Sequence, residues 1–329
     1  MSRSVGLARE HRSVCDPSTP TEFRAAHGAP PPDPRGSGAG APPRRDGTPR
    51  TDAPSKRISA LGILNGAVGD HLHATNNALA IEMSVVRGTP GQRVAIFLHG
   101  LMCTEEVWTF PDGSDYGSLL AKDLGYSPLF VRFNTGRSIA SSSADFARLL
   151  DVLTTSHPEI EEILLVGYSM GGLVIRSACH LASALGNRWL SLVRRAIYLG
   201  TPHLGSPWER AGRWLVQLLR GIDDPFTQLV GTLGDLRSTG IKNLGDADDA
   251  PLLARIEHHF IAGSLDSWIR AHLGDSVVPL ASATNGICAE VRADAPRHVK
   301  IIPGLTHLAL PRHPAVYAQI RAWCEGAST

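Results

Sequence analysis

From about residue 57 onward, short apolar runs alternate with segments in which apolar residues recur at helical spacing. The apolar runs predict strands at residues 79–86, 94–99, 127–133, 163–168, 195–199, 256–262 and 298–302. The helical spacing predicts helices at 118–124, 141–155, 170–185 and 314–323. Strands that alternate with helices are typical of the α/β class, with a doubly wound and mostly parallel sheet.

The segment at about 204–250 interrupts this alternation. Two sets of apolar residues follow helical spacing there: Trp208, Ala211, Leu215, Leu218, Leu219 and Ile222, then Phe226, Leu229, Val230, Leu233 and Leu236. Two amphipathic helices inserted after a core strand would form a cap over the carboxyl edge of the sheet, where loops build binding sites. The alternative is that both helices pack on the core in the ordinary way.

Residues 1–56 differ in composition from the rest of the chain. They hold ten of the 23 prolines and almost no paired apolar residues. Such a segment buries too little surface to offset the entropy of ordering it, so we predict a disordered tail before a folded domain at 57–329. The tail could be a tether for a partner or a dispensable extension.

Overall composition narrows the function classes. The chain has 329 residues, 43% of them hydrophobic, and a formal net charge of +1, which gives no support to nucleic-acid or anionic-membrane binding. Its five scattered cysteines form no CxxC pair, which argues against a disulfide scaffold or a structural zinc site. No run approaches the roughly 18 apolar residues of a membrane span, and no secretory signal is seen. We therefore expect a cytoplasmic protein without an integral membrane segment.

The sequence Gly167-Tyr168-Ser169-Met170-Gly171 lies where a predicted strand passes into a predicted helix. A serine at such a sharp turn is lifted clear of the sheet, and the residues two positions to either side must be small because the backbones nearly touch. The alternative is a glycine-rich turn with an ordinary surface serine. The strand–turn–helix context favours Ser169 as a nucleophile.

A serine hydroxyl needs a base, and the base needs a group that orients it. His307 follows the last predicted strand and precedes the C-terminal helix, so it is the candidate base. The orienting carboxylate should lie in the loop after the preceding strand, where Asp275 and Asp266 both occur. We favour Asp275, because the following Val-Val-Pro can anchor it under the histidine, and keep Asp266 or a residue such as Asp223 as alternatives.

An oxyanion formed at Ser169 would need two backbone N–H donors. Met170, directly after the nucleophile, is one candidate, and Leu101, in the turn after the strand at 94–99, is the other. His99 in the same turn fits a role in fixing the loop better than that of a base. Cys103 has no elbow around it and fits a small buried thiol.

These motifs together resemble the lipase/esterase branch of the α/β-hydrolase superfamily. The stretches are His99-Gly100-Leu101, Gly167–Gly172, Leu199–Ser206, Gly274–Pro279 and Thr306-His307, and the likeness is greatest to bacterial triacylglycerol lipases and the GPI inositol-deacylase-like group. The resemblance covers about residues 78–325. It implies an eight-stranded doubly wound sheet, a Ser–His–Asp triad, no cofactor and no metal for catalysis.

The expected function is hydrolysis of a carboxylic ester of a small apolar molecule. Trp208, Trp214 and Phe226 of the predicted cap would suit its acyl chain. Secreted lipases of this kind carry an export signal that this chain lacks, which favours an intracellular esterase. An acyltransferase on the same scaffold and a non-catalytic binding protein are the alternatives.

Overall fold

Short apolar runs of the sequence form the central sheet. The computed structural model describes residues 53–203, 239, 250–264, 283–284 and 298–326, all within one compact unit, Arg50–Thr329. Its strands are Ser84–Arg87 (β1), Arg93–Leu98 (β2), Ser127–Arg132 (β3), Glu162–Tyr168 (β4), Val193–Leu199 (β5), Glu257–Ser264 (β6) and Val299–Pro303 (β7). Five of its α-helices span Ala53–Ala74 (α1), Tyr116–Leu124 (α2), Ile139–Ser156 (α3), Met170–Leu185 (α4) and Pro314–Glu325 (α5).

The strands form one sheet in the order β1-β3-β2-β4-β5-β6-β7. Strands β2 to β7 pair in parallel, and β1 pairs with β3 antiparallel at one edge. The doubly wound, mostly parallel sheet predicted from the sequence is therefore confirmed. Within the described residues it has seven strands, where the family resemblance implies eight.

Alternate residues of each central strand face opposite layers of helices. Val94, Ile96 and Leu98 of β2 belong to the cluster that includes residues of α3 and α4. Ala95 and Phe97 of the same strand belong to the cluster that includes residues of α2 and α5. Because side chains alternate along a strand, a strand buried on both faces is apolar throughout, and this is why the sequence shows runs rather than alternation.

Two elements differ from the pattern that the sequence predicts. Strand β1 begins at Ser84 rather than near Leu79. The Leu79 carbonyl accepts from the Asn65 side-chain amide at 2.8 Å, and the Ile81 amide donates to the Asn65 Oδ1 at 2.8 Å. These backbone groups are satisfied by a side chain, so residues 79–81 are not part of the ladder.

Helix α1 is the second difference, since the sequence pattern does not predict it. It spans Ala53–Ala74, with a kink at Val68, and its first four residues overlap the segment 1–56. Ile63 and Ala67 pack in a third apolar cluster with Leu101 and Met170. The helix therefore covers the turn after β2. Residues 1–52 and nearly all of the predicted cap at 204–250 lie outside the described residues.

Among the described residues, no helix combines the length and the hydropathy that a membrane span needs.

Candidate active site

Ser169 connects β4 to α4 in a strained turn. Its backbone has φ +52° and ψ −120°, in the left-handed half of conformational space that a non-glycine residue rarely adopts. The Ser169 amide donates to the Leu199 carbonyl of β5 at 2.8 Å, which helps to hold this conformation. Strain of this kind costs of order 1–3 kcal/mol and persists only where the surroundings determine it.

The neighbours of Ser169 must be glycine for the turn to close. A β-carbon at Gly167 would lie 2.6 Å from the Gly172 Cα, and one at Gly171 would lie 2.4 Å from the Leu98 carbonyl oxygen. Both distances are shorter than any real contact of a β-carbon, so larger residues would force β4, α4 and β2 apart. The strand–turn–helix geometry that the sequence motif requires is therefore present.

The turn after β2 lies directly against the serine. A β-carbon at Gly100 would lie 3.1 Å from the Ser169 Cβ. Leu101 and Met170 are both buried and belong to one apolar cluster. In this turn the Met102 amide donates to the Thr135 hydroxyl at 3.1 Å, and the Cys103 amide donates to the Gly100 carbonyl at 3.2 Å. Neither bond uses the Leu101 amide, and the two candidate oxyanion donors thus lie in segments that adjoin Ser169.

His307 lies at the same edge of the sheet. It opens the 3₁₀ helix His307–Arg312, which follows β7. Its ring centroid is 5.1 Å from that of Tyr168, the residue before the serine. On another side, a β-carbon at Gly200 would lie 2.8 Å from the His307 Nδ1. Gly200 directly follows Leu199, whose carbonyl accepts from Ser169. The structure thus brings the candidate nucleophile and the candidate base to adjoining positions.

Burial determines the charge state of His307. The side chain is almost wholly enclosed, with the residue 7% exposed. Desolvation lowers the pKa of His307 to about 3, so its imidazole is neutral at pH 7. A neutral imidazole with an available lone pair is the form that a general base requires.

Both ring nitrogens of His99 bind backbone groups. Its Nδ1 is 3.0 Å from the Gly100 carbonyl oxygen, and its Nε2 is 3.2 Å from the Phe133 amide, which donates to it. The hydrogen therefore belongs on Nδ1. Burial lowers the pKa of His99 to about 4. His99 links the turn after β2 to the end of β3, which matches the loop-fixing role expected from the sequence.

Cys103 is a poor nucleophile in this setting. Burial raises the pKa of its thiol to about 12, so the thiol stays protonated at neutral pH.

Sequence reasoning did not identify Arg176, a buried residue of α4. Its guanidinium donates to the His203 carbonyl at 3.3 Å and to the Ala250 carbonyl. His203 and Ala250 are the residues on either side of the segment 204–249. One arginine therefore joins both ends of the predicted cap to the helix that follows Ser169. No spacing signal in the sequence marks this role.

Asp275, Asp266 and Asp223 lie outside the described residues, as do Trp208, Trp214 and Phe226. In the parts of the chain that the structure does describe, no group of three or more His, Cys, Asp or Glu side chains is arranged to hold a metal ion.

A protein family and several solved structures are similar to this chain. A family model described as the alpha/beta hydrolase family matches residues 95–320, from β2 into α5. No curated protein matches the sequence. The mature lipase BlEst2 of Bacillus licheniformis has a similar structure, with 18% identity, a TM-score of 0.46, and coverage of 74% of this chain and 94% of that one. A thermophilic esterase from Thermogutta terrifontis has 16% identity, a TM-score of 0.44, and coverage of 76% and 95%. The type II thioesterase YbtT of the yersiniabactin pathway has 16% identity, a TM-score of 0.42, and coverage of 75% and 96%.

Proposed function

The chain belongs to the alpha/beta hydrolase family, and we propose that within it this protein is a serine esterase of the lipase/esterase branch that cleaves carboxylic esters through an acyl-enzyme. The observation that carries the proposal is the strained, glycine-flanked turn at Ser169, with the turn after β2 on one side and His307 nearby. Backbone strain in proteins clusters at functional sites, and a serine held in such a turn at the start of a helix is what the nucleophile of a hydrolase requires.

In the proposed reaction, the neutral His307 removes the proton from the Ser169 hydroxyl as the serine oxygen attacks the acyl carbon. The carbonyl oxygen becomes a tetrahedral oxyanion, which the amides of Leu101 and Met170 stabilise. The positive end of the α4 dipole favours the same charge. When the intermediate collapses, His307 passes the proton to the leaving alcohol and the acyl group stays on Ser169.

Water completes the cycle. His307 takes a proton from a water molecule as that molecule attacks the acyl-enzyme, and then returns the proton to Ser169 as the acid leaves. Asp275 is proposed to bind the His307 Nδ1–H and so to keep the imidazole in the tautomer whose Nε2 faces the serine. The cap at 204–250, with Trp208, Trp214 and Phe226, is proposed to line the acyl pocket.

Loss of the serine gives the direct test. Ser169→Ala should lower kcat for p-nitrophenyl esters by roughly six orders of magnitude, as expected when a triad nucleophile is removed. The variant should keep the circular dichroism and the melting temperature of the parent, since alanine fits where serine fitted. Ser191→Ala, at an exposed serine far along the chain, is the matched control and should retain full activity.

A fluorophosphonate probe distinguishes the nucleophile from any other reactive group. The probe should label the parent protein and the Ser191→Ala control at one site, and it should not label Ser169→Ala. Stoichiometric labelling of Ser169→Ala would disprove the assignment. A panel of esters from acetate to palmitate would then define the acyl preference.

A further inference from the structure

The turn after β2, residues 99–104, is held in an uncommon conformation. We refer to it as the oxyanion loop. Met102 has φ +59° and, like Ser169, is a non-glycine residue with positive φ. A free loop would relax such a residue, because a non-glycine residue in this region is strained. Neighbouring groups must therefore fix the loop at Met102, directly after the proposed donor Leu101.

Thr135 supplies the first of these contacts. The Met102 amide donates to the Thr135 hydroxyl at 3.1 Å, and Thr135 is buried. Thr135 lies shortly after the end of β3, and β3 pairs with β2. The sheet therefore helps to fix the position of the Thr135 hydroxyl. A buried amide that lost this acceptor would be left unsatisfied, and the loop would have to move to find another partner.

Helix α1 supplies the second contact. A β-carbon at Gly66 would lie 2.9 Å from both the amide nitrogen and the Cα of Met102, and one at Gly62 would lie 3.0 Å from the Cys103 carbonyl oxygen. The backbone of α1 therefore rests directly on the backbone of the oxyanion loop. Side-chain atoms of the loop are nearer still, with the Met102 Cγ at 2.3 Å from the β-carbon at Gly66 and the Thr104 Cγ2 at 2.7 Å from the one at Gly62. A larger residue at either glycine would therefore have to displace both side-chain and backbone atoms of the loop.

The two contacts are joined to each other. The Asn134 side-chain amide donates to the Gly69 carbonyl of α1 at 2.8 Å, and the Gly136 amide donates to the Asn134 Oδ1 at 3.0 Å. The residues on either side of Thr135 are thus tied to α1. Helix α1 lies before the region 95–320 that matches the family model.

We propose that Thr135 and Gly66 are positioning residues that hold the oxyanion loop so that the Leu101 amide is directed at the oxyanion on Ser169. The proposal rests on the proposed esterase function. Neither residue needs to touch the substrate, because each acts on Met102. A donor displaced by a fraction of an ångström stabilises the transition state less while the ground state of the substrate is bound as before.

The test measures kcat and KM separately for p-nitrophenyl butyrate. Removal of one oxyanion donor lowers kcat by about 10²–10³-fold, so a displaced donor should give a smaller loss. We expect Thr135→Val and Gly66→Ala to lower kcat by about 10–100-fold with KM within about twofold. Thr135→Ser keeps the hydroxyl and should recover most of the lost kcat.

Matched controls separate positioning from general destabilisation. Thr154→Val removes a hydroxyl that bonds to the Leu150 carbonyl within α3. Gly326→Ala adds a β-carbon whose nearest contact is an ordinary 3.5 Å. Both controls should keep kcat. Assays run well below the melting temperature of each variant, and hydrogen exchange at residues 99–104 should speed up in Thr135→Val and Gly66→Ala alone.

The outcomes are distinguishable from those for the esterase function. If the parent hydrolyses esters and is labelled at Ser169, but Thr135→Val and Gly66→Ala match their controls in kcat, the positioning proposal is wrong and the esterase function stands. If the parent neither hydrolyses esters nor reacts with the fluorophosphonate, both fail together. If Thr135→Val does not fold, Gly66→Ala and Thr135→Ser decide the matter in the same way.

Discussion

The carboxyl edge of the sheet brings together a strained serine and the buried neutral imidazoles of His99, His203 and His307, whereas at the amino edge charged residues pair across the starts of neighbouring strands, with the buried imidazole of His259 beside them. At the carboxyl edge, burial lowers the pKa of His99 to about 4 and the pKa values of His203 and His307 to about 3. At the amino edge, Arg93 pairs with Glu162 at 3.1 Å and Arg195 pairs with Glu257 at 2.7 Å.

The difference follows from what each edge has to do. A general base must be neutral with its lone pair available, and burial favours the neutral imidazole. Ion pairs at the amino edge join neighbouring strands. The Arg93–Glu162 pair is partly open to water and contributes little to stability, whereas Arg195 is buried and only its partner Glu257 is open to water. Among the described residues the carboxyl edge has ion pairs as well, between Arg132 and Glu105 beside the oxyanion loop and between Arg137 and Asp145 after β3. The chemistry is thus kept apart from most of the charges that join the strands.

The largest effect on kcat should come from removing the charge that is proposed to orient His307. If Asp275 orients His307, Asp275→Asn should lower kcat about ten-thousandfold, because the amide favours the wrong imidazole tautomer. Asp266→Asn is the matched control and should change kcat little. The two variants differ only in which aspartate is altered, so the reverse result would transfer the role to Asp266.

Much of this edge could be predicted from the sequence because its local requirements are strict. Strands buried on both faces must be continuous apolar runs, which is why β2 to β7 lie within a few residues of their predicted positions. Gly167 and Gly171 are required because a β-carbon at either position would lie 2.4–2.6 Å from backbone atoms. Both glycines are part of the motif around Ser169, so the sequence itself shows this requirement.

The parts that escaped prediction depend on contacts between distant segments. Helix α1 presents Gly62 and Gly66 to the oxyanion loop between its few buried apolar residues, Ile63 and Ala67, so the apolar spacing that would indicate a helix is interrupted. The shortening of β1 depends on Asn65, which lies well before it in the chain. Arg176 meets carbonyl groups on both sides of the segment 204–249. A local sequence pattern does not show which distant residue a side chain will contact. The roles of Asp275, Trp208, Trp214 and Phe226 stay predictions.

A second prediction concerns the pH dependence of stability at the two edges. A histidine whose pKa is lowered by burial in the folded protein binds a proton more readily when the chain is unfolded. The free energy of unfolding should therefore fall as the pH drops from about 6.5 to about 4.5. Each buried histidine should contribute up to about 1.4 kcal/mol per pH unit to this slope. Replacing one of them, in His203→Gln, should reduce the slope by about that amount.

Chemical denaturation at a series of pH values measures this slope. His73→Gln is the matched control, because His73 is exposed in α1 and loses little solvent on folding. An equal slope in the parent protein and in His203→Gln would mean that His203 is not held neutral by burial.

The smallest effect should come from the amino edge. Burial alone would raise the pKa of Glu162, but hydrogen bonds from Tyr126 and Arg93 hold it below its usual value of 4.5. Its contribution is therefore present at neutral pH and is lost only as the pH falls below about 4, under the range in which the histidines act. Glu162→Gln should lower the free energy of unfolding by about 1 kcal/mol or less at pH 7, since the Arg93 side chain is 40% exposed. The kcat should not change, because the pair lies at the end of the strands opposite Ser169. A loss of kcat in Glu162→Gln with the fold intact would show that the two edges are coupled, and the separation of chemistry from strand-joining charge would then be wrong.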